Sequence, residues 1–341
     1  MTLEMDYRLL GGSGLRVSEY ALGTMTFGED WGWGAGEDAC AEMFERYVDA
    51  GGNFVDTANN YTGGTSERIV GSLLAEYGRE RFVLSTKYTL STRPDDPNAS
   101  GNHRKNLFQS VEASLDRLDT DYVDLLWMHA YDGLTPIEEV MRALDDVVRQ
   151  GRVHYVGVSD APAWWVARAQ TLAEESGLTP FAAMQVKYAL SERTVERELL
   201  PAAEALGMGV TAWGPLDGGV LTGKYLTGDE GRYSQLDREV TDHQRRVAEA
   251  VVAVATDLDC TPAQVALAWL RERDVIPILG ATKPSHLEDN LGSLAVSLDS
   301  DANERLEQAS AVEMGFPGGF LSQPMVRGLL FGDLAGRIRG A

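Results

Sequence analysis

Cysteine is all but missing from this chain: Cys40 and Cys260, far apart in sequence, are the only two. Two isolated thiols argue against a disulfide framework or a cysteine-based zinc site and fit a reducing compartment. Long apolar runs are missing as well, since none approaches the ~20 residues that a membrane helix needs. The opening residues, MTLEMDYRLL, lack a basic stretch followed by an apolar one, so no signal peptide is expected. Histidine is sparse. His103, His129, His154, His243 and His286 show no paired ligand spacing, so no metal site is assigned and a metal-dependent hydrolase is disfavoured. The glycine fingerprint that opens a doubly wound dinucleotide-binding sheet is also lacking. Gly12-Ser13-Gly14 offers two of its glycines, but Val17 stands where the third belongs and no helical pattern follows.

Positive charge is scarce. The formal charge is −22 and the pI about 4.6, a balance that repels nucleic acid and anionic membrane surfaces and makes neither an expected partner. Such an excess suits either a salt-rich cytoplasm or an ordinary acidic cytoplasmic enzyme. Lysine is rare even among the cations: only Lys87, Lys105, Lys187, Lys224 and Lys283 stand against a majority of arginines. Each of the five is thereby a candidate for a role.

What remains is an ordinary globular composition, 44% hydrophobic and 24% charged over 341 residues, long for one domain yet within the range of a single α/β barrel. Eight short β-type runs alternate with helical patterns: YALGT (20–24), FVDT (54–57), FVLSTK (82–87), VDLLWMH (123–129), YVGVSD (155–160), AAMQVKY (182–188), GVTAWG (209–214) and IPILGA (276–281). Several are apolar nearly throughout, the pattern of parallel strands buried on both faces. Helices are read at about 37–50, 66–77, 104–118, 162–176, 196–206, 243–258, 261–273 and 284–295. In TPIEEVMRALDDVVRQG, Thr135 and Glu138 suggest a capping box around Pro136, with Ile137, Val140, Met141, Leu144, Val147 and Val148 along one face and Gly151 as the stop.

Eight strands alternating with helices predict a (β/α)8 TIM barrel, with a doubly wound open sheet as the second choice. The segment YRLLGGSGLRVS reads as an N-terminal β-hairpin, at about 7–18, placed to plug the barrel's bottom. One unit spanning 1–341 is expected, with a C-terminal extension from about 300 and a long loop after strand seven, at about 215–242. That loop belongs on the catalytic face, where residues from strand C-termini converge.

Four ionisable residues follow those strand ends. Asp56 closes strand two, Tyr61 lies in the next loop, Lys87 ends strand three and His129 ends strand four. Singly, each has an ordinary structural explanation; together they would meet on one rim. Carbonyl reduction by hydride transfer leaves an alkoxide that needs a proton. A phenol can supply it if its pKa falls from ~10 toward neutrality. A lysine beside it favours the phenolate, an aspartate holds the lysine, and a histidine can orient the substrate oxygen.

With FVDTANNY, STK and WMH in this order, the chain resembles the aldo-keto reductase superfamily over nearly its full length. The resemblance implies a tetrad of Asp56, Tyr61, Lys87 and His129, with Tyr61 as acid/base. It implies NADPH/NADP+ as cofactor. Gly23 and Thr24 would lie at its edge, with Ser159, Asp160 and Gln185 at the nicotinamide carboxamide and Trp213 stacked on the ring. Gly214, Leu216, Gly223 and Lys224 would wrap the pyrophosphate. Gly280, Thr282, Lys283, His286, Asp289 and Asn290 would take the adenosine phosphate. Asp160 replaces the commoner Asn and so cannot donate to the carboxamide carbonyl. The runs GVSDAPAW and HAYDGLTPIEE resemble the aryl-alcohol-dehydrogenase-like branch, where Asp is usual. His286 stands where many relatives carry Arg, leaving Lys283 and a helix N-terminus to hold a 2′-phosphate. Phe27, Trp31, Trp33, Tyr88 and Tyr131 are read as an aromatic pocket suited to aromatic or medium-chain aldehydes and ketones. The competing reading is a nucleotide-binding regulatory subunit of low turnover, like channel-associated relatives.

Overall fold

The computed structural model describes residues 4–229 and 231–338. It begins with an antiparallel hairpin, β1 (Tyr7–Leu9) and β2 (Arg16–Ser18), with Tyr7 opposite Ser18 and Leu9 opposite Arg16. Eight strands then close a parallel barrel in the order β10-β3-β4-β5-β6-β7-β8-β9. They are β3 (Ala21–Gly23), β4 (Phe54–Asp56), β5 (Val83–Tyr88), β6 (Val123–Met128), β7 (Val153–Ser159), β8 (Phe181–Lys187), β9 (Gly209–Trp213) and β10 (Ile276–Gly280). Each coincides with one of the apolar runs, so the barrel is the fold and the open sheet is not.

Helices α1 (Glu37–Asp49), α2 (Thr65–Tyr77), α3 (Arg104–Leu118), α4 (Ile137–Arg149), α5 (Ala163–Ser176) and α6 (Leu199–Ala205) each follow a barrel strand. The long loop after β9 carries 3-10 turns at Asp217–Thr222 and Lys224–Leu226 and the short α7 (Arg232–Gln235). Beyond it come α8 (Asp242–Asp257), α9 (Pro262–Arg271) and, after β10, α10 (Pro284–Gly292). The C-terminal extension holds α11 (Ser300–Ser310), α12 (Gly318–Leu321) and α13 (Pro324–Phe331). No single helix among the described residues is long and apolar enough to cross a membrane.

Alternation along the strands sorts the barrel's interior. Toward the strand N-termini it is apolar: Ala21, Phe54, Val83, Leu125, Ala183 and Ile276 pack together, and Leu10 and Val17 of the hairpin close the floor. Trp127 and Ile278 belong to the same cluster. Gly157 of β7 is required here, because a Cβ on it would stand 2.4 Å from the Trp127 ring. Toward the strand C-termini the buried interior turns polar, with Asp56, Ser85, Lys87, Ser159, Gln185 and Thr211.

One local expectation fails. Thr135 does not cap α4: its hydroxyl donates to Asp132 Oδ2 at 2.6 Å, and Pro136 occupies the cap position without a side-chain bond. Asp132 also accepts from the Leu134 and Thr135 backbone N–H groups, so the aspartate folds the turn and takes the hydroxyl the cap would have used. Capping boxes of the expected kind occur instead at Thr241 with Gln244 and Thr261 with Gln264. The start of α6 also moves, because a 3-10 turn at Thr194–Arg197 precedes it.

Candidate active site

Lys87 lies at the centre of the polar interior. Its side chain is 0% exposed, and an ammonium so placed must spend its three protons on partners. It does so on Asp56 Oδ2 at 2.5 Å, the Thr57 carbonyl at 2.8 Å and the Tyr61 hydroxyl at 3.1 Å. Strand register explains the first contact: β4 and β5 are neighbours, with Asp56 beside Ser85, two residues before Lys87 on the same inward face. The other Asp56 oxygen accepts from Ser85 Oγ at 2.8 Å and Gln185 Nε2 at 3.2 Å.

Tyr61 comes from the turn after β4, and its backbone is unusual. Thr62, Gly63 and Gly64 all have positive φ, at 45°, 64° and 94°. Thr62 accepts this less favoured region while its hydroxyl donates to the Phe27 carbonyl at 2.8 Å and accepts from the Ser66 N–H at 3.0 Å. That tight turn aims the phenol back over the barrel. His129, at the end of β6, sets its ring edge-on to Tyr61 with centroids 6.0 Å apart. The four ionisable residues flagged by their positions thus meet.

Their electrostatics differ from the simple expectation in one respect. The Tyr61 phenol is raised above its ordinary value, not lowered. Burial is the largest cause; Lys87 pulls the other way by charge and hydrogen bond, and Asp56 and Asp160 add to the rise. The phenol accordingly stays protonated at neutral pH, the state a proton donor requires. Lys87 is itself raised: burial works against its charge, but Asp56 and Tyr61 together outweigh it. Burial and the neighbouring Lys87 charge push the His129 imidazole down to about 3, so it is neutral. Its Nδ1 is buried with no partner among the described residues.

Around this centre the other flagged residues divide. Ser159 Oγ is buried with no partner among the described residues, beside Gln185 in the β7–β8 register. Asp160 accepts from the Trp213 indole N–H at 3.0 Å, fixing a ring that remains 36% exposed at the mouth. Burial raises the Asp160 carboxyl, against the pull of Trp213 and Lys87. Gly214 and Gly280 have open space where a Cβ would be. Leu216 is half-buried, and Gly223, at φ 79°, ends the first 3-10 turn beside Lys224. Lys283 caps α10. Its charge and that of Lys224 both reach His286, whose imidazole is lowered by loss of water and then by these two cations. Thr282 Oγ1 is 3.3 Å from His286 Nδ1.

Some residues are turned elsewhere. Thr24 is fully buried, bonded to the Asp56 carbonyl and Ser66, and a Cβ on Gly23 would meet Ile278 at 2.6 Å. Asp289 accepts from Thr261 and Gln264 of α9, and Asn290 donates to the Gly280 carbonyl. Of the five aromatic residues, Trp31 approaches Tyr61 edge-on at 6.4 Å and Trp33 packs on Trp31 at 5.4 Å. Phe27 and Tyr88 are buried in the core and offer a ligand no surface. Tyr88 follows Lys87 on the opposite face of β5, which is why it leaves the interior. Tyr131 packs against Trp164 and Trp165. Sequence reading missed Arg232. Its guanidinium lies 5.3 Å over the Trp33 ring, and burial, then the charge of Arg238, lowers its pKa. Only its place in the long loop hinted at this.

A parallel barrel with a Tyr–Lys–Asp centre and a histidine at its C-terminal rim defines a class of oxidoreductase. The chain belongs to the Aldo/keto reductase family, whose model matches residues 20–311. It is 39% identical over 332 residues to norsolorinic acid reductase of Aspergillus flavus, covering 94% of this chain and 85% of that one. It is 36% identical over 334 residues to aryl-alcohol dehydrogenase GME11368 of Pestalotiopsis microspora, covering 94% and 87%. An uncharacterised oxidoreductase of Bacillus subtilis, YrpG, is 37% identical over 310 residues, covering 87% and 93%.

Proposed function

We propose that this protein is an NADPH-dependent reductase that converts aldehydes and ketones to alcohols in the cytoplasm, with Tyr61 as the general acid. The observation that carries the reading is the buried Lys87 ammonium shared between Asp56 Oδ2 and the Tyr61 hydroxyl. A solvated phenol has no reason to surrender its proton to a nascent alkoxide at neutral pH. A phenol beside a fixed ammonium does, because the phenolate that forms is stabilised without reorganising solvent.

The residues present fit a nicotinamide dinucleotide. A buried Ser159 hydroxyl with no partner among the described residues, beside Gln185, suits a carboxamide, and Trp213, held by Asp160, offers a ring to stack on. Gly214, Leu216, Gly223 and Lys224 would take the pyrophosphate; Gly280, Thr282, Lys283 and His286 would take the adenosine end, with Asn290 holding the Gly280 carbonyl behind it. Asp289 is engaged with α9 and contributes through that packing. Two lysines beside His286 favour the 2′-phosphorylated cofactor. When bound, the cofactor supplies the hydride.

The chain's own residues do the rest. The substrate oxygen lies between Tyr61 and His129. Neutral His129 orients that oxygen by a hydrogen bond, and Tyr61 donates its proton as negative charge builds. Lys87, held by Asp56, stabilises the phenolate left behind. Trp31 and Trp33 give the mouth an aromatic wall, consistent with relatives named for aryl alcohols and norsolorinic acid. Steady-state oxidation of NADPH and NADH over a panel of aromatic and aliphatic aldehydes tests the reading. Turnover with preference for NADPH is expected; tight NADPH binding with negligible turnover on every carbonyl would instead mark a regulatory subunit.

A further inference from the structure

Asp56 and Gln185 stand on opposite sides of the barrel, β4 and β8 being four strands apart in the closed order. Yet the Gln185 amide reaches across and donates to Asp56 Oδ1 at 3.2 Å, alongside Ser85 Oγ at 2.8 Å. A carboxylate only accepts, so the amide presents its NH2 here and leaves its oxygen free. The adjacent Ser159 hydroxyl is buried and unpartnered among the described residues. We propose that Gln185 is a positioning residue: its NH2, with the Ser85 hydroxyl, fixes Asp56 behind Lys87 and Tyr61 and so couples the carboxamide site expected at its amide oxygen to the proton donor. This rests on the reductase reading above.

The physical link is short. Lys87 has no spare proton, so any change at Asp56 is felt by Tyr61. Two donors on Oδ1 draw negative charge away from Oδ2. Without them Asp56 holds the ammonium's charge more closely, and the phenolate receives less of it. The other charged or titratable groups bearing on Tyr61 are His129 just after β6, Asp160 after β7 and Arg232 from α7, and none of the three variants below alters them.

The test compares Ser85→Ala, Ser85→Thr and Gln185→Met by NADPH titration and by the pH profile of alcohol oxidation, whose rising limb reports proton loss from Tyr61. Ser85→Ala is expected to move that limb to higher pH by a few tenths to about one unit, the range of one hydrogen bond. NADPH affinity should stay within about twofold of wild type, and Ser85→Thr should restore the limb. Gln185→Met should move the limb and also weaken NADPH by about tenfold. Weakened NADPH with an unmoved limb in Gln185→Met, or an unmoved limb in Ser85→Ala, overturns the link while leaving the reductase reading intact. A wild-type protein that binds neither NADPH nor NADH overturns that reading itself. Should Gln185→Met fail to fold, the two Ser85 variants decide.

Discussion

Lys87→Met isolates the energetic core of the site. Methionine keeps the length of the side chain but removes an ammonium that is 0% exposed and faces a carboxylate only 4% exposed. Asp56 would keep Ser85 and Gln185 on one oxygen, while Oδ2 loses its charged partner inside the barrel. Removing one member of such a buried pair costs about 3–5 kcal/mol, mostly the penalty of stranding the other charge. At roughly 2 °C per kcal/mol for a chain of this size, the melting temperature should fall by about 6–10 °C. The double variant Asp56→Asn/Lys87→Met strands no charge and should recover about half of that loss or more, so the two effects are strongly non-additive. Urea unfolding followed by tryptophan fluorescence measures the wild type, Lys87→Met, Asp56→Asn and the double variant. If Lys87→Met were as stable as wild type, or the double variant as poor as the sum of the singles, the buried-pair reasoning would be refuted.

Three further outcomes are expected. His129 has a folded-state pKa pushed down to about 3, below its unfolded value, so the folded chain refuses a proton that the unfolded chain binds. Its contribution is intact above pH 6.5 and lost as pH falls, by about 2–3 kcal/mol at pH 4.5; urea titrations should show His129→Gln losing less stability than wild type over that window. Gly157→Ala would push a methyl to 2.4 Å from the Trp127 ring, and thermal melts should show a loss of about 1–3 kcal/mol or more; an unchanged melt would mean the interior is looser than described. Lys283→Ala should weaken NADPH by about tenfold in fluorescence titrations while leaving NADH within about twofold, and equal weakening of both would remove the basis for NADPH preference.

The barrel and the meeting of Asp56, Tyr61, Lys87 and His129 at its rim were legible because both follow from periodicity. A run apolar on both faces declares a parallel strand, and a polar residue at its C-terminal end must face either the rim or a buried partner. Lys87, Asp56 and His129 were found by that logic, and Tyr61 by its nearness to Asp56. What stayed hidden depends on which face a residue takes and on competition among hydrogen bonds. Tyr88 is one residue from Lys87 and therefore points away from it, a parity that aromatic character alone did not weigh. Thr135 fits a helix cap until Asp132 claims its hydroxyl. The sign of the Tyr61 shift required knowing its burial, which outweighs Lys87. Arg232 sits in a loop without periodicity, where no pattern could place its guanidinium over Trp33.

The most direct test of the proton donor is Tyr61→Phe, assayed in parallel for NADPH binding by fluorescence and for aldehyde-dependent NADPH oxidation. Loss of the hydroxyl leaves the ring's packing against His129 and Trp31 in place. Turnover should fall by about 100-fold or more, the range attributed to a positioned general acid, with NADPH affinity close to that of the wild-type protein. Retained turnover in this variant would contradict the assignment of Tyr61 as the acid.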